Sequence, residues 1–170
     1  MLATDFDLKA LFAALDQQRA ARGLTWPGAA REIAGALPSA LVRPVASSTI
    51  RTLKVKPLAE ADGVLQMLRW LDRAPETFIR NLPRGFPVGP IPERPASRVL
   101  RFDTRKLHAA IDEARHARRL TWQQVGDESG APVSHARHLA KGGRTAFPYV
   151  TRLTVWLGRP AAEFIHATTY

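Results

Sequence analysis

The chain is 170 residues long, with 25 Lys and Arg against 15 Asp and Glu, a net charge of +10, and 45% hydrophobic residues. That apolar share excludes global disorder, and the absence of Cys excludes disulfides, zinc–thiolate sites and cysteine nucleophiles. The basic balance favours polyanionic partners, nucleic acid first and an anionic membrane surface second.

From the N-terminus, Leu8, Leu11, Phe12 and Leu15 recur at helical spacing and predict a first helix over about 6–22. The same stretch, MLATDFDLKALF, carries two Asp and no apolar run of signal-peptide length. Thr25 stands where an N-cap belongs and predicts a second helix over about 26–34. A third, over about 47–54, turns Ile50 and Leu53 inward, and a fourth, over about 60–72, buries Val64, Leu68 and Leu71. Pro75 then opens a short fifth helix that ends in Phe78-Ile79. Pro at 83, 87, 90, 92 and 95 marks residues 81–101 as an extended, semi-rigid linker.

Beyond the linker the chain repeats itself. Shifted by 96, FDLKALFAALDQQRAARGLTW (6–26) aligns with FDTRKLHAAIDEARHARRLTW (102–122), with twelve identities in 21 positions. The shift then falls to 86: SSTIRTL (47–53) meets VSHARHL (133–139), and LRWLDR (68–73) meets TVWLGR (154–159). The first copy therefore holds about ten extra residues, an insert near 35–46. Thr121 repeats the cap, with a second helix over about 122–129 and a third over about 132–140, whose inward pair is Ala136 and Leu139. The fourth, over about 147–157, buries Val150 and Leu157, and Pro160 opens the fifth. No segment alternates in the manner of a strand.

The order of RAARGLTWPGAAREIA, SSTIRTL and VLQMLRWLDRAPETFI, and of its second copy, resembles the Cro/C1-type (XRE) helix-turn-helix family. The likeness covers nearly all of both copies. It implies an all-α fold: two tandem five-helix lambda-repressor-like domains, 1–80 and 102–170, joined by the Pro-rich linker as a pseudo-dimer. It also implies that the third helix of each copy lies in the major groove of duplex DNA while the second crosses the backbone. Carried over, the base-facing candidates are Ser47, Ser48, Thr49, Arg51 and Thr52, then Val133, Ser134, His135, Arg137 and His138. Arg pairs bidentately with guanine, and Val133 offers an apolar contact to a thymine methyl.

Phosphate-contact candidates are Lys54, Lys56, Lys141 and Arg144 after the third helices, and Arg19, Arg22, Arg115 and Arg118 before the second. Thr25, Thr121 and Gln123 join them, because helix N-termini present N–H groups to phosphate. Where the family often has Gln after the Thr, this chain has Trp26 and Trp122, read as packing the second helix on the first. The insert lengthens the turn in the first copy and loosens the expectation for its base contacts. Solvated faces are the competing reading of Arg51 and Arg137. His135 and His138 stand i,i+3 but lack Cys or a third ligand, so no metal is expected; His108, His116 and His166 read as ordinary surface or half-buried residues.

The chain has no nucleophile elbow, no H-E-x-x-H, no P-loop and no dinucleotide fingerprint, so no catalytic residue, cofactor or enzymatic activity is expected. Residues 1–80, 81–101 and 102–170 carry net charges of +3, +3 and +4. The expected partner is therefore double-stranded DNA, with no membrane and no small-molecule ligand; further homodimerisation is left open. The two reading helices differ, so an asymmetric target is expected, with the linker as a tether that raises the second domain's effective concentration. The expected function is sequence-specific DNA binding in transcription regulation, in the cytoplasm at the nucleoid. A non-specific nucleoid-style coater and a protein-interaction adaptor are the alternatives.

Overall fold

The computed structural model describes residues 4–35, 44–95 and 98–168, so most of the insert in the first copy lies outside the described residues. In chain order the elements are β1 (Asp5–Phe6), α1 (Leu8–Ala21), α2 (Trp26–Ala34), α3 (Ser47–Thr52), α4 (Ala61–Leu71) and β2 (Ile79–Arg80). The second half repeats them: β3 (Val99–Phe102), α5 (Thr104–Ala117), α6 (Trp122–Ser129), α7 (Val133–His138), α8 (Phe147–Leu157) and β4 (Ile165–Thr168). The architecture is mostly helical, with minor two-stranded ribbons, and is compatible with a helix-turn-helix arrangement.

Local chemistry sets the helix starts. Asp7 caps α1 by accepting from the Ala10 N–H at 2.9 Å, and Asp103 caps α5 through Lys106 at the same distance. Thr25 accepts from Gly28 N–H, and Thr121 exchanges bonds with Gln124 in a reciprocal capping box. The stripes predicted to face inward do so: Leu8, Leu11, Leu15, Ile50, Leu53, Leu107, Ile111, Ala136 and Leu139 are all buried. Phe12 of the first stripe and Leu157, both expected inside, are only half-buried.

Two expectations are corrected. The fifth helix of each copy is a single 3-10 turn, Pro75–Phe78 and Ala161–Phe164, and the chain then leaves it as a strand. Each half is closed by an antiparallel ribbon, β1 with β2 (Asp5↔Arg80, Phe6↔Ile79) and β3 with β4 (Val99↔Thr168 to Phe102↔Ile165). Strands of two to four residues are too short to display a period of two.

The halves are also not discrete. One hydrophobic core runs through both. Residues at equivalent positions of the repeat meet each other: Glu60 forms a β-bridge with Ala146, Ala61 N–H donates to the Thr145 carbonyl at 2.9 Å, and Phe147 N–H donates to the Ala59 carbonyl at 2.8 Å. Self-pairing of this kind is what a two-fold axis produces. Phe147 lies on that axis, 4.6 Å from the Phe6 ring and 5.5 Å from the Phe102 ring, which are themselves equivalent residues. Its own counterpart is Ala61. A true homodimer would have to place two phenylalanines there; a single chain puts one large and one small side chain in the same space. Across the seam, Asp5 pairs with Arg152 at 3.4 Å and Asp62 with Arg101 at 4.0 Å.

The Pro-rich segment is not a solvated tether. Ile91 is buried in the core, β3 already begins at Val99, and Gly89 sits so close to the second half that a Cβ there would lie 2.7 Å from Ala162 Cβ. Beside it Glu76, buried between the halves, accepts from the Ala161 N–H at 2.8 Å, and burial raises its carboxyl above the ordinary value.

Candidate nucleic-acid interface

The helices α3 and α7 are each six residues long and are anchored by Ile50 with Leu53 just past α3, and by Ala136 with Leu139 just past α7. In α3, Ser48, Thr49 and Arg51 are exposed, while Ser47 and Thr52 are half-buried. Thr52 spends its hydroxyl proton on the Thr49 carbonyl. In α7, Ser134, Arg137 and His138 are exposed. His135 is instead turned toward the following loop, hydrogen-bonded to Thr145 Oγ1 at 2.7 Å with its ring edge against Tyr149. Burial, then the charge of His138, lowers its pKa, so the ring is neutral at pH 7.

Val133 is drawn inward too. Gly126 of α6 lies under it: a Cβ on Gly126 would come within 2.6 Å of Val133 Cγ2 and 3.2 Å of the Ala131 carbonyl. The missing side chain lets α6 and α7 cross closely with only residues 130–132 between them. In the first half Ala30 occupies the matching position, and residues 35–46 separate α2 from α3. Gly126→Ala is expected to cost about 1–3 kcal/mol through overpacking, reduced by alanine's better helix propensity of up to ~1 kcal/mol. Urea denaturation checks this; an unchanged midpoint would mean the junction is looser than its contacts imply.

The arginines before the second helix have partners inside the fold. Arg19 donates to Asp16 and to the Leu24 carbonyl and lies 4.9 Å over Trp26; Arg115 repeats this with Asp112, Leu120 and Trp122 at 5.0 Å. Arg22 and Trp70 Nε1 both donate to Glu32, as Arg118 and Trp156 Nε1 do to Glu128. Trp156 and then Arg118 hold the Glu128 carboxyl below its usual range, and the Arg115 bond does so for Asp112. These surface pairs add little to stability, being screened by solvent; what they fix is geometry, pinning the α1–α2 and α5–α6 turns. Trp26 stacks on Phe12 and Trp122 on His108, packing the second helix on the first as expected. Gln123 is likewise engaged, donating to Asp127.

Other cations are differently placed. Among the described residues, no ion pair engages Arg51, Lys54, Lys56, Arg137, Lys141 or Arg144. Lys54 rests over the Phe12 ring at 5.4 Å, and the Lys141 carbonyl accepts from Arg105. Residues 47–59 and 133–146 hold three of these cations each and no acid. Comparison with protein-family models, with curated proteins and with solved structures finds no match.

The surface between α7 and α3 is hollowed. Three adjoining hollows cross the axis between them, the first lined by Ser134 and His138, the next by His135 and Leu58, the last by Thr49 and Lys56, with Arg144 in all three. Asp62 lines the last; burial, then the Glu60 charge, pushes its carboxyl up to about 6, against the pull of Arg101. Glu60 itself is turned to cap α4, accepting from the Asp62 and Gly63 N–H groups.

Sequence reasoning missed the Asp16, Asp112, Glu32, Glu128, Trp70 and Trp156 partners of the arginines. Each is kept in both copies, and that was the available signal. Among the described residues, no helix is long and apolar enough to cross a membrane, and no three His, Asp or Glu side chains gather as a metal site.

Proposed function

We propose that the chain is a sequence-specific double-stranded DNA-binding protein, a transcriptional regulator rather than an enzyme, acting at the nucleoid. On this reading it is two lambda-repressor-like helix-turn-helix units fused as a pseudo-dimer, with α3 and α7 entering successive major grooves. The observation that carries it is the contrast among arginines. Arg19, Arg22, Arg115 and Arg118 are bound within the fold, whereas Arg51 and Arg137, exposed on α3 and α7, have no ion pair among the described residues. Arg51 and Arg137 then pair with guanine, Ser48, Thr49, Ser134 and His138 read neighbouring edges, and Lys54, Lys56 and Lys141 meet phosphate.

Selection from random duplexes should return one asymmetric motif, and log K for it should fall linearly with log salt, by about 0.9 per phosphate neutralised. Arg51→Ala and Arg137→Ala should each cost about 1–3 kcal/mol of discrimination at one base pair, in opposite halves of the motif. An unenriched pool with salt-sensitive binding would mark a non-specific coater. Negligible duplex affinity at low salt would mark a protein-interaction adaptor.

A further inference from the structure

The hollow beside Thr49 has the chemistry of a ligand site that DNA binding does not use. It holds about 450 Å³, within the range of small-molecule pockets. Buried Val45, Leu53, Val64 and Met67 give it an apolar wall. Its polar groups come from both halves: Asp62 and Gln66, four residues apart on one face of α4, and Arg101 of β3. Among the described residues, three buried side-chain polar atoms lack a hydrogen-bond partner, and two of them belong to this lining: Gln66 Oε1 and Arg101 Nε. Arg101 Nε stands 4.0 Å from Asp62 Oδ2, too far for a hydrogen bond. Burial raises the Asp62 carboxyl to about 6 in spite of that guanidinium, so its charge is under-compensated. Buried polar atoms left in this way are costly until a partner meets them.

We propose that this hollow binds a small apolar α-amino acid as its zwitterion. The ammonium group donates to the Asp62 carboxylate and to Gln66 Oε1, the carboxylate accepts from Arg101, and the side chain lies on the apolar wall. A zwitterion answers both unpartnered atoms at once and brings no net charge into the site. A simple amine would leave Arg101 Nε unmet; a simple carboxylate would face Asp62 and leave Gln66 Oε1 unmet. Thr49 of α3 lines the same hollow, so occupancy bears on a helix that the proposed function directs at DNA. Ligand binding itself does not depend on that function and is measured on the protein alone.

The test titrates the full chain with leucine, methionine and phenylalanine, followed by amide NMR. At least one should give saturable shifts centred on Val45, Val64, Gln66 and Arg101. The amide and the N-acetyl derivative of the tightest binder, which lack the carboxylate and the ammonium group, should each bind about tenfold more weakly or not at all. Gln66→Met removes an unpartnered acceptor at similar volume, so thermal melting should hold or rise while affinity drops by about tenfold. Arg101→Lys, which keeps the charge but loses the planar donor fork, should weaken binding in the same way. An N-acetyl derivative that binds as tightly would make this an anion site, and an amide that does so an amine site; either overturns the zwitterion. No shift from any of the three at their solubility limits, shifts centred elsewhere, or undiminished binding by both variants would overturn the site. None of these outcomes touches the DNA-binding reading, which the duplex selections test separately.

Discussion

Phe147→Ala is expected to destabilise the whole chain by about 3–5 kcal/mol, the usual cost of truncating a buried phenylalanine. The side chain is fully buried and touches the two equivalent rings Phe6 and Phe102. Ala61 stands opposite and cannot fill the space, so the cavity would open on the axis itself. Because both halves draw on that one ring, the loss should fall on them together: urea denaturation followed by far-ultraviolet circular dichroism and by tryptophan fluorescence should give coincident transitions, shifted to lower urea. Trp26 and Trp70 lie in one half and Trp122 and Trp156 in the other, so fluorescence samples both. Two separated transitions would show halves that fold independently, contrary to the shared core.

The helices were legible because each carries its own signal. The stripes at Leu8, Leu11 and Leu15 and the caps at Thr25 and Thr121 act over a few residues, and the repeat showed each element twice. The ribbons were illegible, since Asp5–Phe6 is too short for any periodicity and gains its strand form from Ile79–Arg80, more than seventy residues away. The fused core was hidden for a related reason. Prolines at 83, 87, 90, 92 and 95 correctly exclude regular structure, but composition does not tell a free tether from a strap held down by Ile91 and Gly89.

At the site, the inward residues of both reading helices followed from spacing, while the fate of the polar ones did not. His135 and His138 look alike in sequence, yet Thr145 and Tyr149 turn one of them in. Likewise, arginines kept in both copies suggest a shared ligand. Their kept partners, Asp16 with Asp112 and Glu32 with Glu128, show that a shared internal staple accounts for them equally well.

The fused core sets the second large expectation. Insertion of about five base pairs, half a helical turn, at the centre of the selected motif should lower affinity on the order of a hundredfold or more. The inserted half-turn carries the second half-site to the far side of the duplex, and at least two base contacts at about 1–3 kcal/mol each would be lost. A tether of some twenty residues would behave differently, because fully extended it spans roughly 65 Å and would let the second head follow its half-site around the helix. In this chain the heads are joined through Phe147, the Glu60–Ala146 bridge and the docked proline segment, so they cannot follow. Competition binding on the parent, half-turn and full-turn duplexes separates the two cases: a rigid pair loses affinity on both insertions, whereas a tethered pair retains it. Retained affinity on the half-turn duplex would mean that the halves part on DNA, and the shared core would then be a resting state rather than the binding one.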